Sequence, residues 1–245
     1  MPLVTLTSDF GEGSPYVAAM KAVVLAECPG TTLVDISHAV PPFDVVSAAF
    51  VLWAGSRHFP AGTVHLAVVD PGVGTARRAI AFALGGCFYV GPDNGLFGLV
   101  ASEAPASAAG PEVIELERPP AASATFEGRD VFAPAAAALA SGRALASLGP
   151  RSRRAPSALP VGGPVVLWID RFGNLVTSLK PPVAALRVGG ALVDRAARTF
   201  GEASPGTPFL YVGSMGFVEV GVREGSAASL LGVAAGAQVE PVEAR

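Results

Sequence analysis

With 245 residues, 51% of them hydrophobic and only 15% charged, the chain has enough material to bury the core of one large or two modest domains, which excludes a disordered segment. A formal net charge of −3 and the lack of any basic stripe interleaved with aromatics argue against nucleic acid as a partner. Cys28 and Cys87 are too few and too isolated for a disulfide framework or a zinc site, and no turn-free apolar stretch is long enough to span a bilayer.

Residues 1–9 read as a strand and not as a targeting segment, so the expected location is cytoplasmic. Leu3 to Thr7 is apolar and β-favouring and runs into Ser8-Asp9-Phe10-Gly11. Pro15 opens a helical stretch in which Val17, Met20, Val23 and Val24 recur at helical spacing. A second strand is predicted at Thr32–Ile36 and a second helix at Asp44–Trp53, with the acidic Asp44 at its start. Thr63 to Val69 is a third strand, and Ala79–Ala83 with Cys87–Val90 reads as a hairpin around Gly85-Gly86. An Ala-rich helix follows at Val131–Ala140.

This alternation predicts an N-terminal α/β domain over residues 1–150 with a central, mostly parallel sheet, in which ligands gather at the carboxyl ends of strands. Asp9, Asp35 and Asp70 all lie at or near such ends, although an Asp after a strand is also an ordinary turn residue. Residues 151–163, rich in Pro, Gly and Arg, read as a linker. Beyond them Val165–Ile169, Leu175–Ser178, Phe209–Val212 and Phe217–Val222 are short β-like runs, which predict a small all-β domain, sandwich or barrel, over residues 164–245.

No phosphate-binding loop, dinucleotide fingerprint or nucleophile elbow is present, and His38, His58 and His65 lack metal-ligand spacing. His65, inside an apolar strand, reads as a core residue; His38 is placed to pair with Asp35. What distinguishes the chain is a series of glycine-flanked polar segments bordering apolar runs. They are Thr7-Ser8-Asp9-Phe10-Gly11, Asp35-Ile36-Ser37-His38, Val69 to Thr75, Gly91-Pro92-Asp93-Asn94-Gly95, Thr125 to Asp130, Asp170 to Asn174, and Gly213-Ser214-Met215-Gly216. Glycine beside a carboxylate lets backbone approach a ligand closely.

In order and spacing these segments resemble the S-adenosyl-L-methionine hydrolase (adenosine-forming), or SAM hydroxide adenosyltransferase, family, which is related to the fluorinase and chlorinase. The resemblance spans essentially the whole chain, from Thr5-Leu6-Thr7-Ser8-Asp9-Phe10-Gly11, through Val68 to Arg78 and Thr125 to Asp130, to Ile169–Asn174 and Ser214–Glu219. It implies an α/β domain joined to a small β domain. It also implies homotrimers in which the substrate lies between the N-terminal domain of one subunit and the C-terminal domain of its neighbour. By the same resemblance Asp9 holds the ribose diol, Phe43 and Phe126 wall the adenosine pocket, Phe172 and Asn174 contact adenine, and Val222 is a further substrate-binding position. Asp170 pairs with the methionine ammonium and Ser214 bonds the amino-acid end; Glu219 matches a family position that is at least as well explained by structure.

The implied reaction is hydrolysis of S-adenosyl-L-methionine to adenosine and methionine. The sulfonium is already a good leaving group, so the expectation is no cofactor and no metal, only water oriented toward ribose C5′. The resemblance assigns this to an Asp–Arg–His set, of which Asp70 and Arg77 match. Halide-using relatives carry Tyr at the position of Asp70, which disfavours halide transfer. The third member differs: the family pattern Thr-Phe-His-Gly-Arg-Asp stands here as Thr125-Phe126-Glu127-Gly128-Arg129-Asp130. Three outcomes are open for Glu127. Beside Asp70 it forms a like-charged pair in which one proton is held more tightly and one carboxylate serves as base. Alternatively it swings out to an arginine such as Arg129, or it abolishes water activation and leaves a non-catalytic or weakly active protein that binds the ligand but turns it over slowly at most. A metal-dependent hydrolase built on Asp9, Asp35, Asp70 and Asp93 is a further alternative, weakened by the lack of a close His/carboxylate ligand pair.

Overall fold

The structure, a computed structural model, describes residues 1–104 and 110–242, and it divides into the compact units Met1–Pro160 and Val161–Arg245. In the first unit β1 (Leu3–Ser8), β2 (Thr32–Ser37), β3 (Val64–Val68), β4 (Ala79–Leu84), β5 (Cys87–Pro92), β6 (Glu112–Glu115) and β7 (Arg151–Ser152) form one sheet in the order β2-β1-β3-β5-β4-β6-β7. The pairs β2/β1, β1/β3 and β3/β5 are parallel, and β4, β6 and β7 extend the sheet by antiparallel pairing.

Among the described residues four α-helices accompany the sheet: α1 (Pro15–Glu27), α2 (Val45–Ser56), α3 (Gly98–Ala101) and α4 (Ala133–Ala140). Helix α1 begins where its sequence dictates, with Pro15 at the first helical position and the Ser14 hydroxyl accepting the Tyr16 amide. Asp44 caps α2 by accepting the Ser47 amide at 2.9 Å. Strand side chains alternate between faces. Val4, Leu6, Val64, Leu66 and Val68 are buried in one core with Met20 and Val24 of α1 and the alanines of α4. The other parity carries Thr5 and His65, bonded to each other at 2.7 Å, with the His65 ring stacked on Tyr89. His65 is thus a core residue, but only half satisfied. Its Nε2 has no hydrogen-bond partner among the described residues, and burial pushes its pKa down to about 4.

The stretch read as a linker is not one from its start. Arg151–Ser152 pairs with β6, and Arg78 reaches the carbonyls of Arg154 and Ala155, at 3.2 and 2.7 Å. A largely enclosed cation, Arg78, therefore ties down a segment that composition alone marks as free chain.

In the second unit two antiparallel sheets share one apolar core. Strands β8 (Val166–Ile169), β9 (Leu175–Thr177), β12 (Pro208–Val212) and β13 (Val218–Val222) order as β12-β13-β9-β8; β10 (Ala185–Val188), β11 (Ala191–Val193) and β14 (Glu240–Val242) order as β11-β10-β14. The unit is not purely β: α5 (Ala227–Leu231) is capped by Ser226 and packs Ala227 into the core. Cys28 and Cys87 are buried, unbridged thiols. Among the described residues no helix is long and apolar enough to cross a membrane.

Candidate active site

The first unit gathers its carboxylates where β1 and β3 end. Opposite that end of β1, its register with β2 shifts between Leu6 and Thr7, and Ser8 hands the chain to Asp9. The Asp9 carboxylate accepts the Phe43 amide at 2.8 Å. Phe43 itself is held at φ +67°, an uncommon conformation for a bulky residue, and 71% of its surface is exposed. Beneath this turn His38 Nδ1 meets the Ser8 hydroxyl at 2.7 Å, and His38 Nε2 lies 3.1 Å from Asp35, which also pairs with Lys21 at 2.6 Å. Asp35 and His38 therefore meet each other and brace the strand end.

A cavity of about 240 Å³ opens here, lined by Asp9, Phe10, Phe43, Asp70, Thr125, Phe126 and Glu127 among others. Phe10, Tyr16 and Phe126 pack as an aromatic trio beside it, with ring centroids 5.0–6.0 Å apart. Five of the residues singled out in the sequence, Asp9, Phe43, Phe126, Asp70 and Glu127, thus line one space.

Asp70 follows β3 and is gripped by Arg77: Nε lies 3.0 and 3.1 Å from its two oxygens, and Nη2 bonds Oδ2 as well. The same Nη2 donates to Glu127. Gly74 closes the connecting turn in the left-handed region at φ +76°, and a Cβ there would stand 2.6 Å from the Ala124 carbonyl. Only glycine lets the Asp70 turn lie on the segment that carries Glu127. Past Glu127 the chain makes a π-helical turn, Gly128–Phe132, before α4, a local irregularity of a kind frequent at functional sites.

Glu127 pairs with Arg77 and not with Arg129. Arg129 is taken by Asp130 at 2.6 Å. The partner that sequence reasoning missed is Arg118, whose Nε donates to Glu127 at 2.6 Å. Burial pushes the Glu127 carboxyl up, but the bonds and charges of Arg118 and Arg77 outweigh it and hold the group below the usual carboxylate range. Two cations, not one, face the Glu127 carboxylate.

The second unit places its candidates in two groups. Phe172, Asn174 and Val222 line a cavity of about 350 Å³ with Phe200, Glu224 and Gly225. Phe172 is 78% exposed, whereas Asn174 is buried, and Asn174 Oδ1 has no hydrogen-bond partner among the described residues. Asp170 shapes the turn that presents them. Its Oδ1 accepts the Phe172 and Asn174 amides, each at 2.9 Å, and its Oδ2 accepts the Asn174 side-chain amide at 2.8 Å. Glu219, on β13, accepts the Tyr211 hydroxyl at 2.6 Å. Burial, with the nearby charge of Asp170, holds the Glu219 carboxyl above its usual range, and burial and Glu219 raise the Tyr211 phenol. Ser214 is exposed on the turn between β12 and β13.

Among the described residues no group of three or more His, Cys, Asp or Glu is placed to hold a metal ion. Asp93 is paired with Arg78 at 2.6 Å, so Asp9, Asp35, Asp70 and Asp93 do not converge.

Comparison with known proteins places the whole chain in one family. Residues 4–149 match the SAM hydroxide adenosyltransferase N-terminal domain and residues 165–240 the corresponding C-terminal domain. A protein from Thermus thermophilus named (R)-S-adenosyl-L-methionine hydrolase is 48% identical, over 96% of this chain and 98% of its own. A fluorinase from an Actinoplanes species is more distant, 30% identical over 73% of this chain and 72% of its own. A crystal structure of a conserved protein from Thermotoga maritima superposes with a TM-score of 0.84 at 35% identity, covering 97% of this chain and 99% of that one.

Proposed function

Because the chain belongs to the SAM hydroxide adenosyltransferase family, we propose that it hydrolyses S-adenosyl-L-methionine to adenosine and L-methionine. The observation that carries this reading is a buried Asp70 carboxylate, held in the Arg77 fork on the wall of an apolar cavity. Water attacks ribose C5′ opposite the sulfonium. The new C5′–O bond forms as the C5′–S bond breaks, its electron pair returns to sulfur, and the water's proton passes to Asp70 and then to solvent. Arg77 keeps Asp70 oriented, and Glu127, held between two guanidiniums where Asp70 meets only one, acts through Arg77 rather than as the base. An anionic Asp70 beside the nucleophile also favours water over a halide.

For substrate, Asp9 takes the ribose diol, with Phe43 and Phe126 as walls. In the second unit the free acceptor of buried Asn174 suits an amino edge of adenine, with Phe172 and Val222 packing on the base. Asp170 and Ser214 face the methionine end, and Glu219 holds the β12–β13 turn through Tyr211. As the family resemblance implies, the assembly is a homotrimer in which the first unit of one subunit meets the second unit of its neighbour, an arrangement that would cover the exposed Phe43 and Phe172.

The test is incubation with S-adenosyl-L-methionine in ¹⁸O-water with a chelator present. Adenosine labelled at the 5′ oxygen and unlabelled methionine are expected, and Asp70→Ala should lower turnover by roughly 10²–10⁴-fold. Label in methionine, chelator-sensitive turnover, or equal rates in wild type and Asp70→Ala would overturn it. A protein that binds adenosine yet makes none from substrate is the sensor that the Glu127 position first suggested.

A further inference from the structure

Arg118 lies outside every motif the family resemblance supplies. It sits in Leu116-Glu117-Arg118-Pro119, just after β6, where the Leu116 amide bonds the Ala79 carbonyl at 2.8 Å and so docks the segment alongside Arg77. From there its guanidinium makes two contacts with the reaction machinery. Nε donates to Glu127 Oε1 at 2.6 Å, and Nη2 donates to the Arg77 backbone carbonyl at 2.8 Å. One residue therefore fixes both the anion that orients the Arg77 side chain and the backbone from which that side chain projects.

The charges add up in the same way. Asp70 and Glu127 bring two negative charges into a nearly water-free site, with side chains 5% and 4% exposed. Arg77 alone would leave one of them uncompensated, which is costly in such surroundings. Arg118, with 38% of its side chain exposed, supplies the second positive charge from the edge and makes the set neutral. A neutral side chain at position 127 would need no such partner.

We propose that Arg118 is a positioning residue for the hydrolysis, forming with Glu127 a single unit that keeps the Arg77 guanidinium seated on Asp70. The unit takes the place of the histidine expected at position 127. This rests on the function proposed above, and wild-type turnover checks that separately: if wild type makes no adenosine, the functional reading fails before Arg118 is tested.

Given turnover, steady-state kinetics of Arg118→Ala should show kcat lowered about 10- to 100-fold, the scale of small misplacements in a reacting set. KM should change less than about twofold, because Arg118 does not line the cavity. Arg118→Lys, which keeps the charge, should recover part of the loss. The telling variant is Glu127→His combined with Arg118→Ala. As a unit the two positions are non-additive, so the double variant should exceed Arg118→Ala in kcat by several-fold. Should Arg118→Ala fold poorly, the comparison of Arg118→Lys with Arg118→Gln carries the same test. Unchanged kcat in Arg118→Ala, a loss confined to KM, or additive single effects would overturn the proposal.

Discussion

Between Arg118 and Arg77, the Glu127 carboxylate stays ionised against its own burial. The sign of the linked pH dependence follows. The folded pKa lies below the unfolded one, so on acidification the unfolded chain takes up this proton first. The stabilisation is complete above the ordinary carboxylate value near 4.5 and is lost as pH falls through the depressed folded value. Glu127→Gln should cost on the order of 2 kcal/mol at pH 7, read as a shift of the urea midpoint, and that difference should close in strong acid. A constant difference from pH 7 to pH 3 would show that the charge contributes nothing.

His65 works over a different window. Its folded pKa is about 4 against an ordinary 6.5, so between these values the unfolded state binds more protons, and stability is lost as the pH drops. The loss amounts to roughly 3 kcal/mol at most. Substituting His65→Gln, which keeps an acceptor for Thr5, should flatten stability between pH 6.5 and 4 while leaving turnover at pH 8 unchanged, since His65 lies away from the cavity. An unaltered acid slope in that variant would mean that other groups carry it.

At the scale of elements, the site depends on two turns held in contact by a single missing side chain. In Gly74→Ala the left-handed conformation costs about 1–2 kcal/mol, and the new methyl meets the fixed Ala124 carbonyl rather than a side chain that can rotate away. Gly142 offers the contrast: it too is left-handed, at φ +89°, but open space surrounds its missing Cβ. Both alanine variants should lose stability, yet only Gly74→Ala should also lose kcat, as the Asp70 turn parts from Thr125-Phe126-Glu127. Comparable turnover in the two variants would detach the turn from the chemistry.

The same scale shows what the sequence made legible. Strands β1 and β3 are β-favouring runs, rich in Val and Leu, that lead into a carboxylate, so both the strands and Asp9 and Asp70 could be read from local pattern. Strands β6, β10, β11 and β14 are only three or four residues long, β7 two, and α5 five, too short for a period to register. Arg118 was hidden for a related reason. Flanked by Glu117 and two prolines it reads as loop, and only the non-local pairing of β6 with β4 brings it to Arg77. One local signal did exist: a second buried acid beside Asp70 called for a second cation, and Arg129, the sequence neighbour, is already taken by Asp130.

For the whole molecule, the open question is which two halves make one site. The groups assigned to water and ribose lie in Met1–Pro160, and those assigned to adenine and the methionine end lie in Val161–Arg245. In the proposed trimer each site draws its halves from neighbouring subunits, a heterologous arrangement that closes into a ring. Mixed assembly can therefore rescue what neither parent performs. Asp70→Ala spoils only the first half and Asn174→Ala only the second. When the two are refolded together in equal amounts, a site is intact when an Asn174→Ala chain supplies the first half and an Asp70→Ala chain the second. Random mixing makes that true for about a quarter of the sites, so turnover should return to roughly 25% of wild type in a particle of three chains. If each site were built within one chain, every site would carry a lesion and mixing would restore nothing, whatever the particle's mass.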